Sequence, residues 1–272
     1  IFLMLILLEV LNMAGDNLNN GPKRLPFQVK ATDIFVNNML KNVVEDGDIN
    51  TLMQVAEDAC PGLIQIKGPI KEEASIRNKI DKEYGGDFYR TKDVVRMTLI
   101  AADQDALNKV QNKLLEHCRD PSKGLRKIKN EMQTVDTPGN ACGYSGLNFV
   151  VTLRNGRNGE IQGNIPDIMF GKMSRESFCK AFGNNLKHDE LRMKYRIKFG
   201  MGHGLYKIWD NNPNSIDGKR AADLSKKYYA FLRENSPDPK KRDALNSDLV
   251  SIEKEFLRFF LGVADLDTET EC

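Results

Sequence analysis

Two short strand-like runs separated by paired Asn-Gly steps constrain this chain more than any other feature. Gly146–Leu153 (GLNFVVTL) and Glu160–Ile165 (EIQGNI) flank the segment RNGRNG at Arg154–Gly159. Asn-Gly favours tight turns because both residues tolerate positive φ, so the segment predicts a β-hairpin. Asp93–Ala102 (DVVRMTLIAA) is rich in β-branched residues and predicts a further strand, and Leu63–Lys67 is a short apolar run. The remainder reads as helix. Apolar residues recur at helical spacing through Ile34, Val36, Met39, Leu40 and Val43, and a second helix is expected from Asn50 to Ala59, stopped by Pro61-Gly62. Lys71–Tyr84 and Gln104–Cys118 follow, the latter with Ala106, Val110 and Leu114 toward the core. From Ser174 onward helices are expected over Arg175–Phe182, His188–Lys198, Lys219–Glu234 and Lys240–Leu261, the last two divided by NSPDP. The pattern is that of an α+β protein: a small mixed β-sheet flanked by helices, with helical extensions at both ends.

Charge and cysteine content narrow the function classes. With 40 basic and 38 acidic residues the formal charge is only +2, so any anion site must come from local clustering. The five cysteines are widely spaced with no CxxC pair, which argues against a disulfide framework or structural zinc and fits a reducing cytoplasm. Three histidines (His117, His188, His203) are too few for a His-rich metal hydrolase. Ile1–Val10 (IFLMLILLEV) is apolar but about half the roughly 20 residues of a bilayer span, and it lacks the flanks of a signal peptide. No membrane partner is expected, and Met13 is a candidate start. The expected division is 1–26 as apolar N-terminus and polar linker, 27–210 as the main domain, and 211–272 as a C-terminal helical extension.

Five segments could carry chemistry. In KEEASIRNK, Lys71, Ser75 and Lys79 stand at i, i+4 and i+8, so two ammonium groups and a hydroxyl share one helix face suited to a polyphosphate. Taken alone, that stripe fits a solvated helix face better. Asp93 and Glu160 open two strands, with Gln162 on the face of Glu160 and Arg96 sharing a face with Thr98. Two carboxylates at strand ends could hold Mg²⁺ through oxygens while phosphates fill the remaining positions, and one could take a proton from an attacking hydroxyl. In GYSGLNF, Gly143 and Gly146 bracket Tyr144, which predicts an accessible ring for stacking a base, with Asn148 available to hydrogen-bond ribose or base. Finally, GMGHGLYKIW sets His203 and Lys207 at i, i+4 beyond two glycines.

The order KxxxSxxxK, DxxR, GYxxLN, EIQ, GHxLYK resembles the synthetase domain of the RelA/SpoT family and the related small alarmone synthetases. It covers Ile64–Trp209. The resemblance implies a nucleotidyltransferase-like fold in which Lys71, Ser75, Lys79 and Arg96 bind ATP and Asp93 and Glu160 handle Mg²⁺ and the acceptor hydroxyl. Tyr144, Asn148, Gln162, His203 and Lys207 are then expected on the acceptor side. Departures concentrate on that side as well. Asn148 replaces the family's histidine, Asn164 replaces the phosphate-binding arginine of EIQIRT, and the lysine before the GY pair is absent from TPGNAC.

The activity so implied is pyrophosphate transfer from ATP to GDP or GTP, giving (p)ppGpp-type alarmones. The alternatives are a toxin-type enzyme acting on the tRNA 3′ end or making adenosine alarmones, with an antitoxin as a partner, and a degenerate nucleotide-binding protein. For the tRNA reading, Lys219, Arg220, Lys226, Lys227, Tyr228, Tyr229, Lys240, Lys241 and Arg242 form a basic, aromatic tail that could hold an RNA backbone. A solvated face with Tyr229 and Phe231 in the core accounts for it equally well.

Overall fold

A hairpin with apolar residues on alternate positions needs a helix layer to cover one face, and the computed structural model supplies it. The structure describes residues 47–68, 73–85, 87, 90–93, 95–154, 156, 158–234 and 237–261, and for 73–75 and 256–261 the backbone alone. The helix expected around residues 34–43 and Lys71 lie outside the described residues. In chain order the elements are α1 (Gly47–Ala59), β1 (Ile64–Lys67), α2 (Glu73–Glu83), β2 (Val95–Ile100), α3 (Gln104–Arg119), β3 (Arg126–Gln133), β4 (Gly146–Thr152) and β5 (Asn158–Asn164). Six helices follow: α4 (Pro166–Lys172), α5 (Arg175–Phe182), α6 (Leu186–Tyr195), α7 (Met201–Asn211), α8 (Ile216–Phe231) and α9 (Pro239–Leu261).

The five strands form one sheet in the order β1-β2-β5-β4-β3. β2 and β5 are parallel, and every other neighbouring pair is antiparallel. β4 and β5 form the expected hairpin, with Leu147 opposite Gly163 and Thr152 opposite Asn158. Two of the boundaries that differ from expectation bear on the polar residues of the sheet. Asp93 precedes β2 by two residues rather than opening it, and Glu160 is the third residue of β5. β3 and α4 have no counterpart in the sequence reading.

The two sheet faces have opposite character, as the period-2 geometry of a strand requires. Met97, Leu99, Leu147, Phe149, Val151 and Ile161 are buried in one core cluster with Leu52 of α1 and Leu107, Val110 and Leu114 of α3. Burying each large apolar side chain contributes about 1.5–3 kcal/mol. Asp103 fixes the start of α3 by accepting the amide of Ala106. Gly163 belongs to this face for a steric reason: a Cβ there would lie 2.5 Å from Leu107 Cδ1 and 2.9 Å from Leu147 Cβ. The opposite face carries the polar residues of the same strands. A second core cluster, built on Met169, Phe170, Phe178, Tyr195, Tyr228, Tyr229 and Leu249, joins α4 to α9 and includes Ile100 of β2.

Candidate active site

The register of β2 and β5 brings the expected residues together. Arg96 lies opposite Glu160 and Thr98 opposite Gln162, while Asn148 of β4 is opposite Gln162 from the other side. One face therefore presents Arg96, Thr98, Glu160, Gln162 and Asn148 side by side. α2 brings Lys79 to this face, where its Nζ donates to Asp93 Oδ2 at 3.0 Å, with Glu83 at 3.8 Å. Burial alone would lower the Lys79 pKa, but the hydrogen bond and charge of Asp93 outweigh it and raise the pKa above the ordinary lysine value. Ser75 lies on the same helix.

Glu160 is held above the usual carboxylate range, first by burial and then by the negative charge of Asp93. The Gln162 amide at 3.3 Å and the ammonium groups of Lys79 and Lys172 act in the opposite direction. A carboxyl with raised proton affinity, close to a second acid and two lysines, is suited to accepting a proton. The two acids also form a pair that a divalent cation would relieve, since Mg²⁺ takes one or two protein carboxylates and fills its remaining positions with water and phosphate.

Tyr144 departs from the expected accessible ring. Gly143 turns the chain in the left-handed region at φ +67°, as little but glycine does readily, and this sets Tyr144 inward. The ring is half-buried and packs edge-on against Tyr229 at 5.5 Å. Its hydroxyl is 2.6 Å from Asn164 Nδ2 and 3.2 Å from Lys172 Nζ, and that ammonium stands 4.7 Å from the ring centroid. Lys172 also donates to Gln162 Oε1 at 2.9 Å. No signal in the sequence marks this placement, because only the fold of α4 returns a residue ten positions after Gln162 to the same side chains.

α7 completes the site. The pKa of His203 is lowered by burial, then by the charges of Lys207 and Lys172. Tyr206, one residue before Lys207, donates to Asp210 at 3.2 Å. Burial and Asp210 push its phenol up to about 12, and it lies within the field of Lys79. α7 packs against α4, and its His203 and Tyr206 lie within the fields of Lys172 and Lys79 respectively.

In the basic tail the expected aromatic residues lie inside the fold. Tyr228, Tyr229 and Phe231 are buried in the core, which removes the aromatic platforms. Among the described residues, four of the seven cations expected there are matched by acids: Arg220 with Glu255 at 2.5 Å, Lys227 with Asp223 at 2.9 Å, Lys241 with Glu234 at 2.9 Å and Arg242 with Asp243 at 2.8 Å. The reading in which Tyr229 and Phe231 sit in the core is the one observed.

No protein-family model matches the chain. The crystal structure of the complex between the Type VI effector Tas1 and its immunity protein superposes with a TM-score of 0.59 at 27% identity, over 71% of this chain and 93% of that one. Over the aligned residues the chain shares the fold of that effector. In sequence the chain is 29% identical over 171 residues to the (p)ppApp synthetase toxin Tas1 of Pseudomonas aeruginosa (strain UCBPP-PA14). That match covers 62% of this chain and 36% of the relative, so the chain spans little more than a third of the protein it matches. Small alarmone synthetase 2 from Bacillus subtilis aligns over 81% of this chain and 98% of its own, at 18% identity and a TM-score of 0.43. Among the described residues no helix is long and apolar enough to cross a membrane.

Proposed function

We propose that the chain is a pyrophosphokinase that moves the β,γ-pyrophosphate of ATP to the 3′-hydroxyl of an adenosine nucleotide. The observation that carries the reading is the meeting of Asp93, Glu160 and Lys79 on the polar sheet face, with Tyr144 held beside them. In this reaction Glu160 takes the proton of the acceptor hydroxyl, whose oxygen forms a bond to the β-phosphorus. The bridging bond between the α- and β-phosphates breaks and AMP leaves. Lys79 and Arg96 hold the donor phosphates; Ser75 and Lys71 of the KxxxSxxxK stripe are assigned to the same task. Asp93 and Glu160 would hold Mg²⁺, which supplies charge neutralisation to the transferring group. Asn148, Gln162, His203 and Lys207 face the acceptor.

Adenosine replaces guanosine as the favoured acceptor because the similar Tas1 is named a (p)ppApp synthetase. The losses at Asn148 and Asn164 on the acceptor side agree with a changed acceptor. The Tas1 complex with an immunity protein supports a toxin role here too, with a neutralising partner protein. An ATP donor would fit a reaction in a cytoplasm. Glu160→Gln tests the assignment: it should abolish transfer while equilibrium ATP binding persists, and full transfer by that variant would remove Glu160 from the mechanism.

A further inference from the structure

We infer that Lys172, together with His203 and Lys207, forms the subsite that receives the 5′-phosphates of the acceptor nucleotide. The inference rests on the pyrophosphokinase reading and assigns to it a cation that the motifs did not contain. The geometry begins at β5. Asn164 stands where the resemblance places a phosphate-binding arginine, and its amide is engaged with the Tyr144 hydroxyl at 2.6 Å. α4 starts two residues later, is buried along most of its length, and ends on Lys172. Its packing in the core thereby returns an ammonium to the strand that lost a guanidinium.

An ammonium offers three donors and no acceptor. One proton of Lys172 serves Gln162 Oε1 at 2.9 Å and a second serves Tyr144 Oη at 3.2 Å. Both partners are neutral, and among the described residues no carboxylate lies within ion-pair distance of Lys172. A half-buried positive charge with neutral neighbours and a spare donor is matched by an anionic ligand. His203 lies within the field of both Lys172 and Lys207, and Lys207 likewise has no carboxylate at ion-pair distance among the described residues. On the donor side, by contrast, Lys79 is bound to Asp93. Glu160 feels both Lys79 and Lys172, as befits a base between two phosphate-bearing substrates. Phosphates held by Lys172 leave the base and ribose of the acceptor near Tyr144 and Gln162, with its hydroxyl toward Glu160.

An internal competition isolates this role from general damage. Wild type, Lys172→Met and Lys172→Arg are each given γ-labelled ATP, Mg²⁺ and an equimolar mixture of adenosine, AMP and ADP, and the labelled products are separated. All acceptors share one donor site, so donor effects cancel in the product ratios. Wild type should favour ADP over adenosine. Lys172→Met should reduce that preference by about tenfold or more, the scale of one lost charge-assisted hydrogen bond, and Lys172→Arg should restore most of it. If Lys172→Met lowers all products in proportion and leaves the ratio unchanged, the residue only supports the fold and the subsite is wrong. A wild-type protein that labels none of the three would overturn the pyrophosphokinase reading and the subsite with it.

Discussion

Replacing Lys79 with methionine keeps the length and apolar stem of the side chain and removes only its charge. The lost contact is a 3.0 Å hydrogen bond to Asp93, with side chains 24% and 15% exposed. Such a pair lies between two regimes: exposed ion pairs contribute about 0.2–1 kcal/mol, and breaking a buried one costs about 3–5 kcal/mol. The structural part of the loss should therefore be about 1–2 kcal/mol, or several degrees in Tm. The binding part is separate. Removing one charge-assisted hydrogen bond to the donor phosphates costs about 1.5–3 kcal/mol, equivalent to a ten- to hundredfold rise in the ATP KM. Initial rates over an ATP titration at fixed acceptor, with thermal melts of the same preparations, measure both. Asp93→Asn in the same background gives a double-mutant cycle, in which the stability losses should be less than additive because the residues touch. An ATP KM and Tm both unchanged by Lys79→Met would refute the argument and return α2 to a solvated basic helix.

Two further outcomes follow from the same geometry. Because the folded-state pKa of Glu160 is raised by burial and Asp93, the native state binds its proton more tightly than the unfolded chain does. This stability is fully present below the unfolded pKa and is lost as pH rises through the folded value. Metal-free Glu160→Gln should therefore melt above wild type at pH 8, with the gap closing toward pH 4; a lower Tm at pH 8 would contradict the direction. Neutralising Lys226, Lys227, Lys240 and Lys241 together should leave transfer to free nucleotides within about twofold, since the tail has its aromatic rings in the core and the ion pairs of Lys227 and Lys241 are exposed and screened by solvent. A salt-dependent loss of activity toward tRNA, measured in parallel, would restore the RNA reading of that surface.

The parts of the fold legible in the sequence are those with period-2 patterning or a sharp turn. β4 carries apolar residues on alternate positions ahead of the Asn-Gly steps that lead into β5, and β2 is dense in β-branched residues, so all three are readable. β3 (RKIKNEMQ) is not, because a sheet-edge strand needs few apolar residues and gains from charged ones. α4 escapes for the opposite reason: Pro166, Ile168, Met169, Phe170 and Gly171 are all buried, which removes the polar face that marks a surface helix. The site divides in the same way. Arg96 with Thr98 and Glu160 with Gln162 sit on short-range strand patterns that put each pair on one face, whereas the parallel register that sets the two pairs side by side is a long-range feature. Tyr144 is visible as a residue but not in its setting, because Tyr229 and Lys172 reach it from α8 and α4. Lys172 follows no motif at all; its role depends on how the second core packs.

The proposed reaction is transfer of pyrophosphate to an adenosine nucleotide by the cluster of Asp93, Glu160 and Lys79. The most direct measurement uses ATP labelled at the β or the γ position, in separate reactions with Mg²⁺ and AMP, ADP, GDP or GTP as acceptor. Transfer of both labels to the 3′ position of the adenosine acceptors, with AMP released in equal amount and nothing formed by Glu160→Gln, is the predicted result. Label reaching only the guanosine acceptors would contradict the acceptor assignment, and transfer of the γ-label without the β-label would contradict pyrophosphate transfer itself.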